Sequence, residues 1–178
     1  KPGSRVFSLD TDFLFPETHD LIRRIKEKYS IALAVYTSDM SLAEMEKRHG
    51  KELYDRDPEL CCQIRKVQPL QKALSGLKAW ITGIRRDQAP TRANTQKVEF
   101  DRKFGLVKIN PLADWTSERV WAYIKENQVP YNILHDQNYP SIGCAPCTRP
   151  VKPGEDPRAG RWADKEKTEC GLHPADNK

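Results

Sequence analysis

Apolar residues return at two different periods along the chain, and the switching between them outlines an α/β domain. Val6-Phe7-Ser8-Leu9 is a short apolar run that stops at Asp10-Thr11, the pattern of a short buried strand. After Pro16-Glu17-Thr18 the apolar positions Leu21, Ile22, Ile25 and Tyr29 keep helical spacing, and Pro16 suits a first turn. Residues 31–36 are again a continuous apolar strand. Ser41-Leu42-Ala43-Glu44 has capping-box spacing and predicts a short helix that Gly50 closes. A helix is predicted over residues 59–74, disturbed at Pro69, with Gly76 past its end. Residues 79–83 predict a third strand that runs straight into Arg85-Arg86. Residues 98–100 and 106–109 flank residues 101–105 as the arms of a hairpin do, and residues 116–127 predict an amphipathic helix with Val120, Trp121 and Ile124 on one face.

Beyond Val129 the periodicity stops, and Pro, Gly and Cys dominate to the C-terminus. That composition predicts a loop layer laid over the domain. No internal repeat or low-complexity stretch is present. Strands alternating with helices predict a largely parallel sheet. Ligands of such sheets bind beyond the carboxyl ends of the strands, here Asp10-Thr11, Thr37-Ser38 and residues 83–92.

Composition narrows the function classes. The 178 residues allow one ordinary domain, and 38% apolar residues with four Trp, six Tyr and five Phe supply a core, which argues against disorder. No window approaches the run of about 18 apolar residues that a membrane-spanning helix needs, so no membrane partner is expected. No charged-then-apolar leader precedes the first strand. The net charge of +5 suits either plain solubility or an anionic partner. Its distribution separates the two. Arg23-Arg24 and Lys26-Glu27-Lys28 fall in helical-period sequence as a solvated face, whereas Arg85-Arg86, Arg149, Arg158 and Arg161 fall in Gly/Pro-rich loops, where binding residues concentrate.

Five cysteines cannot all pair with one another, and reduced thiols in a cytoplasmic compartment are the simplest expectation. Cys61-Cys62 and Cys144-Ala145-Pro146-Cys147 form two pairs, and Cys170 stands apart. A small buried hydrophobe accounts for one such cysteine but not for a Cys-Cys and a Cys-x-x-Cys together. A thioredoxin-like redox motif leaves Cys61-Cys62 unexplained. Zinc knuckles have a gap between their cysteines, which Cys61-Cys62 lacks. Adjacent helical side chains diverge by about 100°, so one small ion meets both thiolates with difficulty. A [4Fe–4S] cluster presents separate irons to separate cysteines and fits better. Read locally, Cys170 is either a reactive thiol, its thiolate favoured by Lys165, Lys167 and His173, or a tail residue without a task.

Taken in order, these segments resemble one family. They are Leu9-Asp10-Thr11 with Pro16-Glu17-Thr18; Cys61-Cys62 with Arg65-Lys66; Thr82-Gly83-Ile84-Arg85-Arg86-Asp87-Gln88; Ser141-Ile142-Gly143-Cys144-Ala145-Pro146-Cys147-Thr148-Arg149-Pro150; Arg158-Ala159-Gly160-Arg161-Trp162; and Glu169-Cys170-Gly171-Leu172-His173. The chain is similar to the assimilatory, iron–sulfur adenylyl-sulfate reductases, within the phosphoadenylyl-sulfate and adenylyl-sulfate reductase family. The resemblance implies a parallel-sheet, adenine-nucleotide α-hydrolase-like (PP-loop) domain over residues 1–150 and a tail over residues 151–178 that carries the nucleophile. It implies that Cys170 attacks the sulfur of adenosine 5′-phosphosulfate, that AMP leaves, and that thioredoxin, a separate protein, releases sulfite from a cysteine S-sulfonate. This belongs to sulfate assimilation and cysteine biosynthesis. The implied ligands of a [4Fe–4S] cluster that keeps its oxidation state are Cys61, Cys62, Cys144 and Cys147. The implied substrate residues are Asp10, Thr11, Lys66, Arg85, Arg92, Arg158, Arg161 and His173, and a homo-oligomer is expected. Guanidinium groups suit a sulfate–phosphate anhydride because they hold its oxygens by bidentate, charge-assisted bonds. Arg86 is equally a structural ion-pair partner, Lys66 an exposed helix lysine, and His173 either tunes Cys170 or caps the tail.

Family members open with a strand, a Ser/Gly-rich phosphate loop and a helix ahead of the segment resembling residues 5–11. The chain has only Gly3 there, so the resemblance implies a missing first strand and phosphate cradle, and little activity from these residues alone. The four paired cysteines favour adenylyl sulfate over its 3′-phosphorylated form, with dual use left open. The rivals are a cluster-bearing enzyme that inserts sulfur into tRNA, in which the Glu-Cys-Gly-Leu-His tail is unexpected, and a zinc-stabilised nucleic-acid-binding module. The latter needs a basic face with exposed aromatics, whereas these arginines cluster in Gly/Pro loops, so no nucleic-acid partner is expected.

Overall fold

Val6–Leu9 (β1) and Leu33–Tyr36 (β2) pair in parallel, Val6 opposite Leu33 and Leu9 opposite Tyr36. The computed structural model describes residues 4–173. Between the two strands runs Pro16–Tyr29 (α1), which opens on Pro16, carries Glu17 in its first turn and Lys26 and Lys28 in its last, and stops at Ser30 in the left-handed conformation. The apolar runs predict buried strands, but neither β1 nor β2 holds a fully buried residue, and Val6 and Val35 are exposed. A continuous apolar run cannot report how many neighbours a strand has, and these two have only each other among the described residues.

The described chain divides into two compact units, residues 4–73 with 130–172 and residues 74–129 with 173. In the first, Leu42–His49 (α2) starts at the predicted capping box: Ser41 accepts from the Glu44 N–H while Glu44 reaches back to Ser41. Leu53–Arg56 (α3) and Pro58–Cys62 (α4) follow, Asp57 capping α4 by accepting from the Leu60 N–H at 2.9 Å. The chain then widens into a π-helical stretch, Gln63–Val67, before Gln68–Leu74 (α5). Pro69 thus does not break the predicted helix. It lacks an N–H for the Arg65 carbonyl and crowds it, and the wider turn just upstream absorbs both effects. Met45, Leu53, Cys61 and Ile64 form the core here, with Phe13, Met40, Leu42, Tyr54 and Leu60 packed on it.

The second unit is built on a three-stranded sheet in the order Ala79–Ile81 (β3), Leu106–Ile109 (β5) and Val98–Asp101 (β4). β3 and β5 are parallel, and β4 and β5 form the predicted hairpin, turned at Gly105 with a φ of 69°. Ser117–Glu126 (α6) is capped by Thr116, which accepts from the Arg119 N–H. Strands and helices therefore alternate as the α/β pattern predicts, but the described strands form two sheets, and β4 is antiparallel. No helix among the described residues is long and apolar enough to cross a membrane.

Candidate functional site

The cysteines come together in the first unit. Cys61 and Cys62 leave the last turn of α4, where the core buries them. Cys144 is brought to β1's carboxyl end by a bridge to Leu14 and by the Ala145 N–H, which donates to the Phe13 carbonyl at 2.7 Å. Its Sγ lies 3.2 Å from the Thr11 hydroxyl. Cys147, half-buried, follows in a single 3₁₀ turn. Burial, then repulsion from Cys62, Cys144 and Cys147, pushes the Cys61 thiol up to about 12. Burial pushes Cys62 up to about 11 against the pull of Lys66 and Lys167, and Cys147 rises for the same first reason. Left to themselves Cys61, Cys62 and Cys147 stay protonated at neutral pH, and a thiol must lose its proton to bind a metal.

Three cations lie among them. Lys66 is buried; burial disfavours its charge, but Cys144, Cys170 and Cys62 outweigh that and hold its pKa above the ordinary lysine value. Arg161 is lowered by burial, against Cys170, Cys144, Cys147 and Cys62. Lys66, Arg161 and Lys167 all approach the Trp162 ring, at 5.9, 4.4 and 5.5 Å from its centroid. A short antiparallel seam sets this up: Thr148 bridges Arg161, the Arg149 N–H donates to the Gly160 carbonyl and the Trp162 N–H to the Cys147 carbonyl. The Cys-x-x-Cys loop and the Arg-Ala-Gly-Arg-Trp segment are thereby one piece. Sequence reasoning gives Trp162 a place in the Arg-Ala-Gly-Arg-Trp segment but no role, because nothing local marks a tryptophan as a hub for cations.

Among the described residues no three His, Cys, Asp or Glu side chains converge on a single metal-ion position. A cubic iron–sulfur cluster asks for something else, one thiolate at each of four separated irons. Cys61, Cys62, Cys144 and Cys147, with Lys66 and Arg161 near them, are the thiols that could hold such a centre.

Arg65, a neighbour of these groups, is structural. Its side chain is 1% exposed; Nε donates to the Thr11 carbonyl and Nη1 to the Met40 carbonyl, and it pairs with Asp12. It thus clamps the loops that leave β1 and β2. Asp10 caps its own loop by accepting from the Asp12 N–H at 2.9 Å and lies 3.9 Å from His19. Arg158 donates to the Thr168 carbonyl at 2.7 Å and reaches Glu169, which holds the residues next to Cys170.

The remaining expected site residues belong to the second unit. Arg85 Nε donates to Asp87 at 2.9 Å, Arg92 donates to Gln88 at 2.7 Å, and the His173 ring stacks on Trp80 at 5.6 Å. Arg86 donates to the Thr95 carbonyl at 2.8 Å. Beneath this loop lies a buried polar chain that sequence reasoning missed: Thr82 donates to Asn110, Asn110 to Glu99, and Lys108 pairs with Glu99 at 3.0 Å.

Residues 1–150 match the family described as the phosphoadenosine phosphosulfate reductase domain. A protein named adenosine 5′-phosphosulfate reductase from Halalkalibacterium halodurans is 54% identical over 174 residues, covering 97% of this chain and 75% of its own. Adenosine 5′-phosphosulfate reductase 2 of Bacillus subtilis is 52% identical over 172 residues, covering 96% and 73%. Among solved structures, phosphoadenylyl-sulfate reductase from Candida auris, in a phosphate complex, aligns with a TM-score of 0.71 at 36% identity over 82% of this chain and 71% of that one. Candida glabrata FMN adenylyltransferase aligns at 0.60 and 17% identity over 81% and 44%, a likeness of fold alone.

Proposed function

The chain belongs to the phosphoadenosine phosphosulfate reductase domain family, and from that premise we propose that it is an adenosine 5′-phosphosulfate reductase, an oxidoreductase that yields sulfite and AMP. Residues 1–150 bind the nucleotide and residues 151–178 bring the nucleophile. The Cys170 thiolate attacks the sulfur, the S–O bond to the phosphate breaks, and AMP leaves with the bonding pair. One thiolate of thioredoxin then attacks Cys170 Sγ and expels sulfite with its pair. The second thiolate frees Cys170, so the dithiol ends as a disulfide and sulfur has gained two electrons. The observation that supports this most is that Arg158 holds Thr168 and Glu169, next to Cys170, while Cys170 interacts electrostatically with Lys66 and Arg161.

Each residue's part follows from its chemistry. Lys66 and Arg161 supply the positive charge that neutralises the sulfonate oxygens. Within the first unit Arg158 is the further anion ligand, with Asp10 and Thr11; Arg85, Arg92 and His173 of the second unit are assigned to substrate on their motifs alone. A [4Fe–4S] cluster on Cys61, Cys62, Cys144 and Cys147 supplies, when bound, a fixed field and a structural anchor beside the nucleophile. We assign the reaction to sulfate assimilation in the cytoplasm, where thioredoxin is kept reduced.

Sulfite release tests the proposal. The cluster-loaded protein is expected to release sulfite from adenylyl sulfate only when thioredoxin is present, and Cys170→Ser to release none. Sulfite formation by Cys170→Ser contradicts the reading. The likeness to the Candida auris enzyme supports a second one, use of the 3′-phosphorylated substrate too; competition between the two nucleotides measures it.

A further inference from the structure

The chemistry above leaves two tail lysines without a part, and both are tied down within the first unit. Lys165 Nζ donates to the Asp55 carbonyl at 2.7 Å and to its Oδ1 at 2.6 Å. Lys167 Nζ lies 2.5 Å from Glu59 Oε1. Asp55 belongs to α3 and Glu59 to α4, the helix that also ends in Cys61-Cys62. The tail is therefore strapped to the element that carries two of the clustered thiols.

The two pairs differ in character. Lys165 and Asp55 are both solvated, so their pair fixes register and adds little strength. Lys167 has a side chain only 3% exposed, whereas its partner Glu59 is 72% exposed. A buried ammonium is retained only where opposite charge and a polarisable surround offset its lost hydration. Lys167 has Glu59 and the face of Trp162, at 5.5 Å, as its partners. It lies three residues ahead of Cys170, so a tail held at Lys167 has little slack at the nucleophile.

We infer that Lys167, assisted by Lys165, is a positioning residue for Cys170: the two lysines strap the tail onto Asp55 and Glu59 and so keep the thiol beside Lys66 and Arg161. The inference deepens the reading of Cys170 as nucleophile and rests on that reading for its kinetic consequence. The strap itself does not depend on it.

Hydrogen exchange on the whole cluster-loaded chain, followed for residues 163–170, tests the strap, and the rate of the Cys170 adduct at saturating adenylyl sulfate tests the positioning. Lys167→Met is expected to lower protection of this stretch about tenfold while other peptides keep theirs. The same variant is expected to slow adduct formation with substrate affinity unchanged, and Lys167→Arg to retain most of both. Lys165→Glu removes the exposed pair without touching the interior. It is expected to loosen the stretch less, and Asp55→Lys added to it restores protection. Wild-type exchange in Lys167→Met and in Lys165→Glu overturns the strap. Faster exchange with an unchanged adduct rate overturns the positioning role. A wild-type chain that binds substrate but forms no adduct overturns the nucleophile and with it the positioning, while the exchange result stands.

Discussion

Gly143 and Gly160 carry no reactive group, yet both set where Arg161 sits. A Cβ on Gly143 would lie 2.3 Å from Arg161 Nη2, and one on Gly160 would lie 2.1 Å from the Arg149 carbonyl oxygen. The first obstacle is the end of a side chain and yields by moving the guanidinium; the second is backbone and does not yield. Gly143→Ala should therefore act as a partial Arg161→Ala. Each loses charge-assisted bonds worth about 1.5–3 kcal/mol, so adenylyl-sulfate affinity is expected to fall roughly tenfold or more by calorimetry, with the iron content intact. Unchanged affinity in both removes Arg161 from the anion site. Gly160→Ala is expected instead to destabilise the fold by about 1–3 kcal/mol in denaturant unfolding. The cysteine pairs and the loop arginines are legible in the sequence because their spacing is local. The demands on these glycines are not, since they arise where segments far apart in the chain meet, as Thr11 and Cys144 do across 133 positions.

At the scale of elements, the local signals held wherever the structure satisfies them locally. Ser41 and Glu44 cap α2 as the tetrapeptide predicts, and Ser41→Ala is expected to cost about 1 kcal/mol, read from the denaturation midpoint. The hairpin of β4 and β5 likewise needs only its own turn. By contrast, the π stretch before Pro69 and the division of the five described strands between two sheets depend on bonding partners that periodicity does not encode. The Arg149–Glu155 loop gives a test with pH. Arg149, and then the Lys152 N–H, hold the Glu155 carboxyl at about 2 against an ordinary 4.5. A lowered folded-state pKa stabilises the loop above the ordinary value and is lost as pH falls through the folded one. Carbon NMR of the Glu155 carboxyl should therefore show titration near pH 2, with the loop amides losing protection relative to their intrinsic exchange rates over the interval from 4.5 down to 2. Titration near 4.5 shows that the pair does not form in solution.

For the whole molecule, the informative number is five cysteines, read as four plus one. The four gather from α4 and from the Cys-x-x-Cys loop, and the fifth arrives on a strapped tail among the same cations. Arg85, Arg92 and His173 belong to the second unit, where Asp87, Gln88 and Trp80 engage them. The sequence marks these residues by motif but leaves their present partners unannounced. The central claim is that the thiol outside the set of four attacks sulfur, and intact-protein mass spectrometry tests it most directly. The cluster-loaded chain is mixed with adenylyl sulfate in the absence of any dithiol, and the modified peptide is then sequenced. The expected result is one sulfonate per chain, on Cys170, absent from Cys170→Ser and discharged as sulfite by thioredoxin. A sulfonate on any other cysteine, or an adduct that survives Cys170→Ser, contradicts it.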